Sequence, residues 1–347
     1  MMSLDIFYAI VAAALFGAST PFAKILIGDV APVMLAGLLY LGSGIGLSLV
    51  RLIRDRGWTS PNIQVNEWPW LFGAVLFGGV FGPITLMIGL SHTTGSAASL
   101  LLNLEAVLTA VIAWTVFKES ADKRIVFGMI SIVLGGLALS WPSSQSSAST
   151  IIGPLLITIA CLCWAIDNNL TRKVSASDAL FIAGVKGLIA GAVNCSLALF
   201  LGLSMPDFLV VVSTMSLGLM GYGFSLVLFV LALRGLGTAR TGAYFSTAPF
   251  IGAAISVVML GESTGGLFWV AASLMAIGVW LHLTERHEHE HQHEALDHSH
   301  SHTHDKHHQH THDFDWDGAE PHNHRHVHAE VTHEHPHYPD IHHRHTH

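Results

Sequence analysis

Residues 104–120 read LEAVLTAVIAWTVFKES, and residues 246–263 read STAPFIGAAISVVMLGES. When the chain is aligned with itself at an offset of 143 residues, these stretches coincide and Glu119 falls on Glu262. The alignment runs without gaps from about residue 90 to residue 140. Further coincidences are Leu90 with Leu233, Ser99 with Gly242, Ala110 with Ala253, and Gly135 with Gly278. The chain is therefore predicted to consist of two related halves.

The quoted stretches belong to a series of apolar segments that runs through the first 284 residues. Each has about 17–25 residues, the length that an α-helix needs to cross the hydrocarbon core of a bilayer. The first segment lacks a positively charged start, so it is predicted to remain as a membrane helix and not to be removed as a signal peptide. The ten segments are 6–27, 31–52, 69–90, 96–117, 125–141, 152–171, 179–202, 212–233, 241–260 and 266–284.

Five segments in each half is an odd number, so the second half must insert upside down relative to the first. Two inverted repeats that face each other across the membrane midplane are typical of secondary transporters. We therefore predict an all-α membrane protein of ten transmembrane helices in two inverted five-helix repeats, with a disordered C-terminal tail. The predicted parts are a first repeat at 1–141, a linker at 142–151, a second repeat at 152–284 and the tail at 285–347.

The positions of the Lys and Arg residues predict the orientation of the segments. If the N-terminus lies in the cytoplasm, the loops on the opposite side contain no Lys or Arg, and the loop bases collect on the cytoplasmic side. Because positive charge is retained in cytoplasmic loops, both termini are predicted to be cytoplasmic, with the protein in the cell (inner) membrane. The bases on the cytoplasmic side are Arg51, Arg54, Arg56, Lys118, Lys123, Arg124, Arg172, Lys173, Arg234, Arg240 and Arg286.

The end of the chain has a different composition. Residues 287–347 hold 23 of the 25 His, together with 12 Asp+Glu and 3 Lys+Arg, so this tail supplies the net negative charge. It has too few apolar residues to bury a core, which predicts disorder. Imidazole is a good ligand for Zn²⁺, Ni²⁺ and Co²⁺, so the tail is predicted to bind divalent metal, although no cofactor is expected to be required. The candidate ligands are His287, His289, His291, His293, His298, His300, His302, His304, His307, His308, His310 and His312.

The chain resembles the EamA family of the drug/metabolite transporter superfamily over about residues 6–284. The stretches that carry the resemblance are LFGASTPFAK (15–24), LEAVLTAVIAWTVFKES (104–120), LALRGLGTARTGAY (231–244) and STAPFIGAAISVVMLGES (246–263). The resemblance implies a central cavity lined mostly by segments 1–4 and 6–9. The family commonly has Glu-Pro in the fourth segment, where this chain has Glu105-Ala106, and the equivalent pair in the second half is Ala248-Pro249. Because the family handles amino acids, nucleosides, sugars and drugs, the resemblance implies no particular substrate.

Ionisable side chains inside apolar segments are candidates for substrate binding or coupling, because such groups are costly in a bilayer unless they are paired or hydrated. Glu105 lies near mid-membrane and is predicted either to bind a cation or a proton in the cavity, or to hydrogen-bond a neighbouring helix. Lys24 either snorkels to the interface or faces the cavity, and Asp167 is expected to pair with Arg172 or Lys173. The substrate or coupling candidates are Glu105, Lys186, Lys24, Asp167, Asn168 and His92.

Other residues inside the segments favour structural roles. Prolines are predicted to kink helices and to free backbone carbonyls at Pro21, Pro83 and Pro249. Tryptophans fit an interfacial belt at Trp114, Trp141, Trp164 and Trp280. All three cysteines lie inside segments, so no disulfide framework is predicted.

No stretch matches the phosphate-binding pattern GxxxxGK[ST], so transport is predicted to be driven by a gradient, and no enzyme activity is expected. The first hypothesis is a transporter that exports a small metabolite and has a metal-binding regulatory tail. The second is a transporter of a divalent metal ion or metal complex whose tail buffers or senses metal. The third is a membrane-anchored metal sensor that transports nothing, against which the two repeats argue. The expected partners are the bilayer and the substrate, a homodimer is compatible with the sequence, and no nucleic acid is expected.

Overall fold

The computed structural model describes residues 4–61, 63–116, 123–141, 151–174, 178–284, 290–293, 296–302, 322–328 and 331–334. Ten helical stretches of the described chain are long and apolar enough to cross a membrane, and they match the predicted segments to within four residues. In chain order, spans 1 to 10 are Leu4–Leu26, Pro32–Arg54, Val65–Ser91, Gly95–Val116, Lys123–Ser140, Ile152–Thr171, Ala179–Phe200, Phe208–Ala232, Thr241–Met259 and Gly266–Leu283. The predicted all-α membrane architecture is confirmed.

Spans 3 and 8 are interrupted by π-helical segments, and spans 4 and 9 are broken near the middle. The π-helical residues are Val75–Phe81 and Leu219–Phe224, and the breaks lie at residues 102–103 and 246–247. An offset of 143 residues places each interruption of the first half on that of the second to within one residue, as inverted repeats require. The component helices are Val65–Glu67 (3₁₀), Trp68–Ala74, Gly82–Ser91, Gly95–Leu101, Leu104–Val116, Phe208–Gly218, Ser225–Phe245 (from span 8 into span 9) and Ala248–Met259, and a 3₁₀ turn at Arg172–Val174 follows span 6.

The three prolines occupy different positions relative to these interruptions. Pro83 lies in the first turn of the helix that follows the π-helical segment of span 3. Pro249 lies in the first turn of the helix that follows the break in span 9, where its missing N–H costs nothing. Pro21 lies inside the continuous helix of span 1. Two of the three predicted kink positions therefore adjoin an interruption.

Two helix crossings join residues that are related by the repeat. Spans 2 and 7 pack together and cross at Gly44 and Gly187, where a Cβ on Gly187 would lie 2.6 Å from the Cα of Gly44. Spans 5 and 10 pack together, and the Ser131 hydroxyl donates a 2.7 Å hydrogen bond to the Leu274 carbonyl, 143 residues away. A residue that contacts its own repeat-related copy lies on the pseudo-twofold axis, so both crossings mark the axis that relates the inverted halves.

Away from the axis, helices of each half pack against helices of the other half. Span 1 packs against spans 8 and 9, and span 6 packs against spans 3 and 4. Span 2 also packs against span 8, and span 7 against span 3. The result is two four-helix bundles, the 1-2-8-9 bundle and the 3-4-6-7 bundle, each built from both halves. One end of the molecule, the loop-92 end, carries the connections 27–31, 92–94 and 260–265, and the opposite end is the loop-117 end.

Four short stretches of the tail form strands, where the sequence predicts disorder. Strand β1 (Glu290–His293) pairs with β4 (Val331–Glu334), and β2 (Leu296–His302) pairs with β3 (His322–His328), both antiparallel. The predicted disorder is corrected for these stretches. Histidine alternates with other residues along them, which matches the two-residue period of a strand.

The crossing of spans 2 and 7 predicts a strong sensitivity to side-chain size. Gly44→Val places methyl groups against the backbone of span 7, and overpacking of this kind costs about 1–3 kcal/mol. We expect the melting temperature of the purified protein in detergent to fall. Gly266→Ala is the matched control, because a Cβ there meets nothing within 4 Å. Equal melting temperatures for the two variants would contradict the close crossing.

Candidate functional site

Glu105 lies in the first turn of the helix Leu104–Val116, directly after the break in span 4. Its Oε1 accepts a 2.9 Å hydrogen bond from Nδ2 of Asn168 in span 6. The same amide nitrogen lies 3.4 Å from the hydroxyl of Thr109, one turn further along span 4. Glu105 is partly exposed and Asn168 is exposed. Polar groups at this depth need water or a partner, and here each of the two residues is the partner of the other.

The broken helix favours a carboxylate at this position. The first turn of a helix has N–H groups without intrahelical partners and carries the positive end of the helix dipole. Glu105 is the acidic residue of that turn. The break in span 4 therefore places a carboxylate at a helix start near mid-membrane, even though the usual proline is replaced by Ala106.

Asp167 and Lys186 form an ion pair beside this carboxylate. Lys186 Nζ lies 2.6 Å from Oδ1 and 2.6 Å from Oδ2 of Asp167, and the side chains are 17% and 9% exposed. Thr171 donates a 2.9 Å hydrogen bond to Oδ1. The carboxylate packs directly against Gly78, where any Cβ would collide with it. The pair is thus nearly enclosed, and its two charges cancel.

The expected partner of Asp167 was wrong. The sequence favours a local pair with Arg172 or Lys173, which lie within about a turn of it along the chain. The structure instead pairs Asp167 with Lys186 of span 7. A lysine inside an apolar segment needs a counter-charge at its own depth, and Asp167 is the carboxylate within its reach. The two groups were each predicted as candidates, but the sequence did not predict that they pair.

The π-helical segment of span 3 leaves carbonyls that other spans satisfy. The Gly78 carbonyl accepts hydrogen bonds from the Tyr40 hydroxyl at 2.8 Å and from Trp164 Nε1 at 3.0 Å. The Gly79 carbonyl accepts one from Asn194 Nδ2 at 3.0 Å. The interfacial position expected for Trp164 is wrong, because its ring is buried with its N–H on this carbonyl. These donors fix spans 2, 6 and 7 around the interruption.

Lys24 and His92 lie away from Glu105, near the loop-92 end. Lys24 Nζ donates to the carbonyl oxygens of Leu90 at 2.6 Å and Thr93 at 2.7 Å. The ammonium group therefore binds carbonyls at the end of span 3, an interaction that neither alternative from the sequence included. His92 is exposed directly after span 3. Neither residue contributes to the polar group around Glu105.

A row of aromatic rings crosses the 1-2-8-9 bundle. The ring of Tyr222 lies 5.8 Å from that of Tyr40 and 5.9 Å from that of Phe16. Phe16 continues the row to Phe245 at 5.3 Å, and Phe245 continues it to Phe229 at 4.9 Å. Phe245 directly precedes the break in span 9. One bundle therefore contributes carboxylates and amides near mid-membrane, and the other contributes aromatic surface.

Spans 2 and 7 are also joined by charge at the loop-117 end. Arg51 Nε donates to Asp178 Oδ2 at 2.9 Å, and its guanidinium lies 5.4 Å from the Trp58 ring and 5.1 Å from the Phe181 ring. Burial raises the pKa of Asp178, but hydrogen bonds from Arg54 and Arg51 outweigh it and leave that pKa below its ordinary value. The pair thus stabilises the fold above the unfolded-state pKa and is lost only as the pH falls through the lowered one.

The predicted metal ligands of the tail fall into two sets. In the described strands, β2 places His298, His300 and His302 opposite His326, His324 and His322 of β3, and β1 contains His291 and His293. No group of three or more His, Cys, Asp or Glu positioned for a metal ion is found where the structure describes side chains. The ligands that lie outside the described residues are His287, His289, His304, His307, His308, His310 and His312.

The geometry first defines a class of protein. Ten membrane-crossing helices form two inverted repeats, and broken helices surround a polar group near the midplane, as in secondary transporters. The sequence model of the EamA-like transporter family matches residues 3–141 and again residues 151–284. The chain belongs to this family, and the resemblance seen in the sequence is confirmed.

Similar proteins agree with this assignment. An uncharacterized transporter of Methanothermobacter thermautotrophicus is 28% identical over 295 residues, which cover 78% of this chain and 84% of the relative. The uncharacterized transporter YyaM of Bacillus subtilis is 24% identical, over 80% of this chain and 93% of the relative. A solved crystal structure with 18% identity superposes with a TM-score of 0.60, over 81% of this chain and 96% of the other. The family and the named relatives are described as transporters.

The ion pair of Asp167 and Lys186 predicts a specific pattern of stabilities. Lys186→Met leaves a buried carboxylate without its counter-charge, which costs about 3–5 kcal/mol. The double variant Lys186→Met with Asp167→Asn removes both charges and should recover much of that loss. Thermal unfolding of the four proteins in detergent forms the double-mutant cycle. If the single variant melts no lower than the double variant, the two groups are not paired in the membrane.

Proposed function

We propose that this protein is a gradient-driven transporter that exports a small organic solute, with Glu105 as the residue that couples the gradient to transport. The observation that carries the proposal is the position of Glu105 at a helix break, near mid-membrane, in contact with an exposed amide. Broken helices near the midplane are where transporters of inverted-repeat architecture bind substrates and coupling ions.

The charge balance around the site supports Glu105 over the other candidates. Asp167 and Lys186 neutralise each other at 2.6 Å, so neither can change its charge without leaving the other unpaired. Glu105 has an amide partner but no ion pair within the described residues. Its charge can therefore be neutralised by a proton or by a cationic group of the substrate as either arrives. A carboxylate that alternates between these forms links solute movement to a proton gradient.

The aromatic row supports an organic solute. Tyr40 donates its hydroxyl to the carbonyl of Gly78, the glycine against which the Asp167 carboxylate packs. Tyr40 also begins the row of rings that continues through Tyr222 and Phe16. A small metabolite with one polar end and one apolar part suits a cavity with a carboxylate on one side and rings on the other.

The metal hypothesis receives less support. A pathway for a divalent cation needs several His, Cys, Asp or Glu ligands around one point, and no such group exists where side chains are described. Glu105, in particular, is held by an amide and not by a second carboxylate. Metal binding by the tail stays a prediction from its histidine content, and we propose it as a regulatory function apart from the transported solute.

Orientation follows from the distribution of charge. The loop-117 end carries Arg51, Arg54 and Arg56, whereas the loops of the loop-92 end have no Lys or Arg. By the positive-inside rule, we propose that the loop-117 end and both termini face the cytoplasm and that the protein lies in the inner membrane.

Glu105→Gln tests the coupling. The substitution keeps the shape and the hydrogen bond but removes the titratable charge, so proton-driven transport should fall about tenfold or more while the protein still folds. Uptake of labelled amino acids, nucleosides and sugars into inverted vesicles is measured with and without a pH gradient. Glu67→Gln, at the start of span 3, is the matched control. A folded Glu105→Gln variant with unchanged pH dependence would exclude Glu105 and make Lys186 the better candidate.

Cysteine labelling tests the orientation. In a variant without the native cysteines, Ser301→Cys in the tail should react with a membrane-impermeant maleimide only after the cells are opened. Ser204→Cys, in an exposed loop at the loop-92 end, should react in intact cells and serves as the positive control. Labelling of Ser301→Cys in intact cells would overturn the proposed topology.

A further inference from the structure

Glu262, in the loop after span 9, reaches across to the start of span 4. Its Oε1 accepts a 2.6 Å hydrogen bond from the Gly95 amide, and its Oε2 accepts a 2.8 Å hydrogen bond from the Ser96 amide. Hydrogen bonds to an ionised carboxylate are about twice as strong as neutral ones. The Glu262 side chain therefore ties the end of the 1-2-8-9 bundle to a helix of the 3-4-6-7 bundle.

Below this contact, spans 4 and 9 are tightly packed. A Cβ on Gly95 would lie 2.7 Å from the hydroxyl oxygen of Ser256, and a Cβ on Gly252 would lie 2.8 Å from that of Ser99. Such distances leave no room for a solute between the two spans. Lys24 adds a second link at this end, from span 1 to the end of span 3. The loop-92 end is therefore closed.

The opposite end differs, although the repeat would make it equivalent. The repeat-related counterpart of the contact between Ser99 and Gly252 is a contact between Thr109 and Gly242. A Cβ on Gly242 would meet no heavy atom of the described residues within 4 Å. The helix Leu104–Val116 also forms no extended contact with the helix Ser225–Phe245 in the described residues. Spans 4 and 9 thus meet at the loop-92 end and diverge toward the loop-117 end.

We propose that Glu262 is the positioning residue that keeps the pathway closed at the loop-92 end, and that its release lets spans 4 and 9 part there. The inference rests on the proposed transporter function. In the state that is open at the loop-92 end, the pseudo-twofold axis predicts the symmetry-related arrangement. Thr109 then lies against Gly242, and Ser99 lies apart from Gly252. Spans 2 and 7 pack along their length and cross on the axis at Gly44. Their interface is the place about which the two bundles rotate relative to each other.

The test measures access to the cavity from the loop-92 end. Thr109→Cys, on the face of span 4 that carries Glu105, is the reporter in a full-length chain whose three native cysteines are replaced by alanine. An impermeant maleimide is applied from the side on which Ser204→Cys reacts. Glu262→Gln removes the charge of the tether and should raise the labelling rate about tenfold by populating the open state. Glu67→Gln is the matched control, because Glu67 also accepts a backbone N–H, at 2.8 Å from Gln64, but within one segment.

A disulfide supplies the reverse experiment. Gly95 and Ser256 are close enough for a bridge, since a Cβ on Gly95 would lie 3.3 Å from the Ser256 Cβ. Gly95→Cys with Ser256→Cys, when oxidised, should return the labelling of the Glu262→Gln protein to the low rate, and reduction should restore it. Glu262→Asp keeps the charge but shortens the side chain, so it should give an intermediate rate and serves if the glutamine variant does not fold.

The proposal is overturned if folded Glu262→Gln, or folded Glu262→Asp in its place, labels at the rate of the parent protein. It is also overturned if Glu67→Gln raises the rate equally. Labelling requires no substrate, so this result is independent of the flux measured for Glu105→Gln. If access changes as expected but the protein moves no solute, the proposed closure by Glu262 stands and the proposed transporter function is wrong.

Discussion

A backbone that crosses hydrocarbon must find hydrogen-bond partners for all of its amides and carbonyls within the protein. Regular helices meet this requirement alone, so each interruption needs donors from elsewhere. The π-helical segment Val75–Phe81 receives them from Tyr40, Trp164 and Asn194, which belong to spans 2, 6 and 7. The bonds from Trp164 and Asn194 hold the 3-4-6-7 bundle together around the interruption, and the bond from Tyr40 joins it to span 2 of the other bundle. Asp167 is then held against Gly78, where only a glycine leaves space for it.

The framework is symmetric, but its chemistry is not. The positions that correspond by the repeat to Glu105 and Asp167 are Ala248 and Lys24. Lys24 binds the end of span 3, and Ala248 packs against span 1. Under the proposed function, two equivalent halves supply a pathway that can open at either end, and Glu105 supplies the group that changes its charge. A transporter needs both properties, because the site must stay the same while its access changes.

Much of this arrangement could be predicted from the sequence. Segment length and apolar content predicted all ten spans, and the 143-residue offset predicted the inverted halves, because both depend on local composition. The depth of Glu105 was also predictable, since it follows from counting residues along a helix. Its bond to Asn168 was not, and neither were the pairing of Asp167 with Lys186 or the burial of Trp164. These depend on which helix faces which, and a periodic apolar sequence does not encode that choice on its own.

The residues on the pseudo-twofold axis are under a particular constraint. Away from the axis, the two symmetry-related copies of a contact lie apart and can differ, as Ser99 with Gly252 differs from Thr109 with Gly242. On the axis, a residue meets its own counterpart, as it would in an antiparallel dimer of two separate half-length chains. Gly44 and Gly187 are identical there, whereas Ser131 and Leu274 differ, and the Ser131 hydroxyl donates to the backbone carbonyl of Leu274. A single chain permits such a difference, because a dimer of identical halves must use the same residue on both sides.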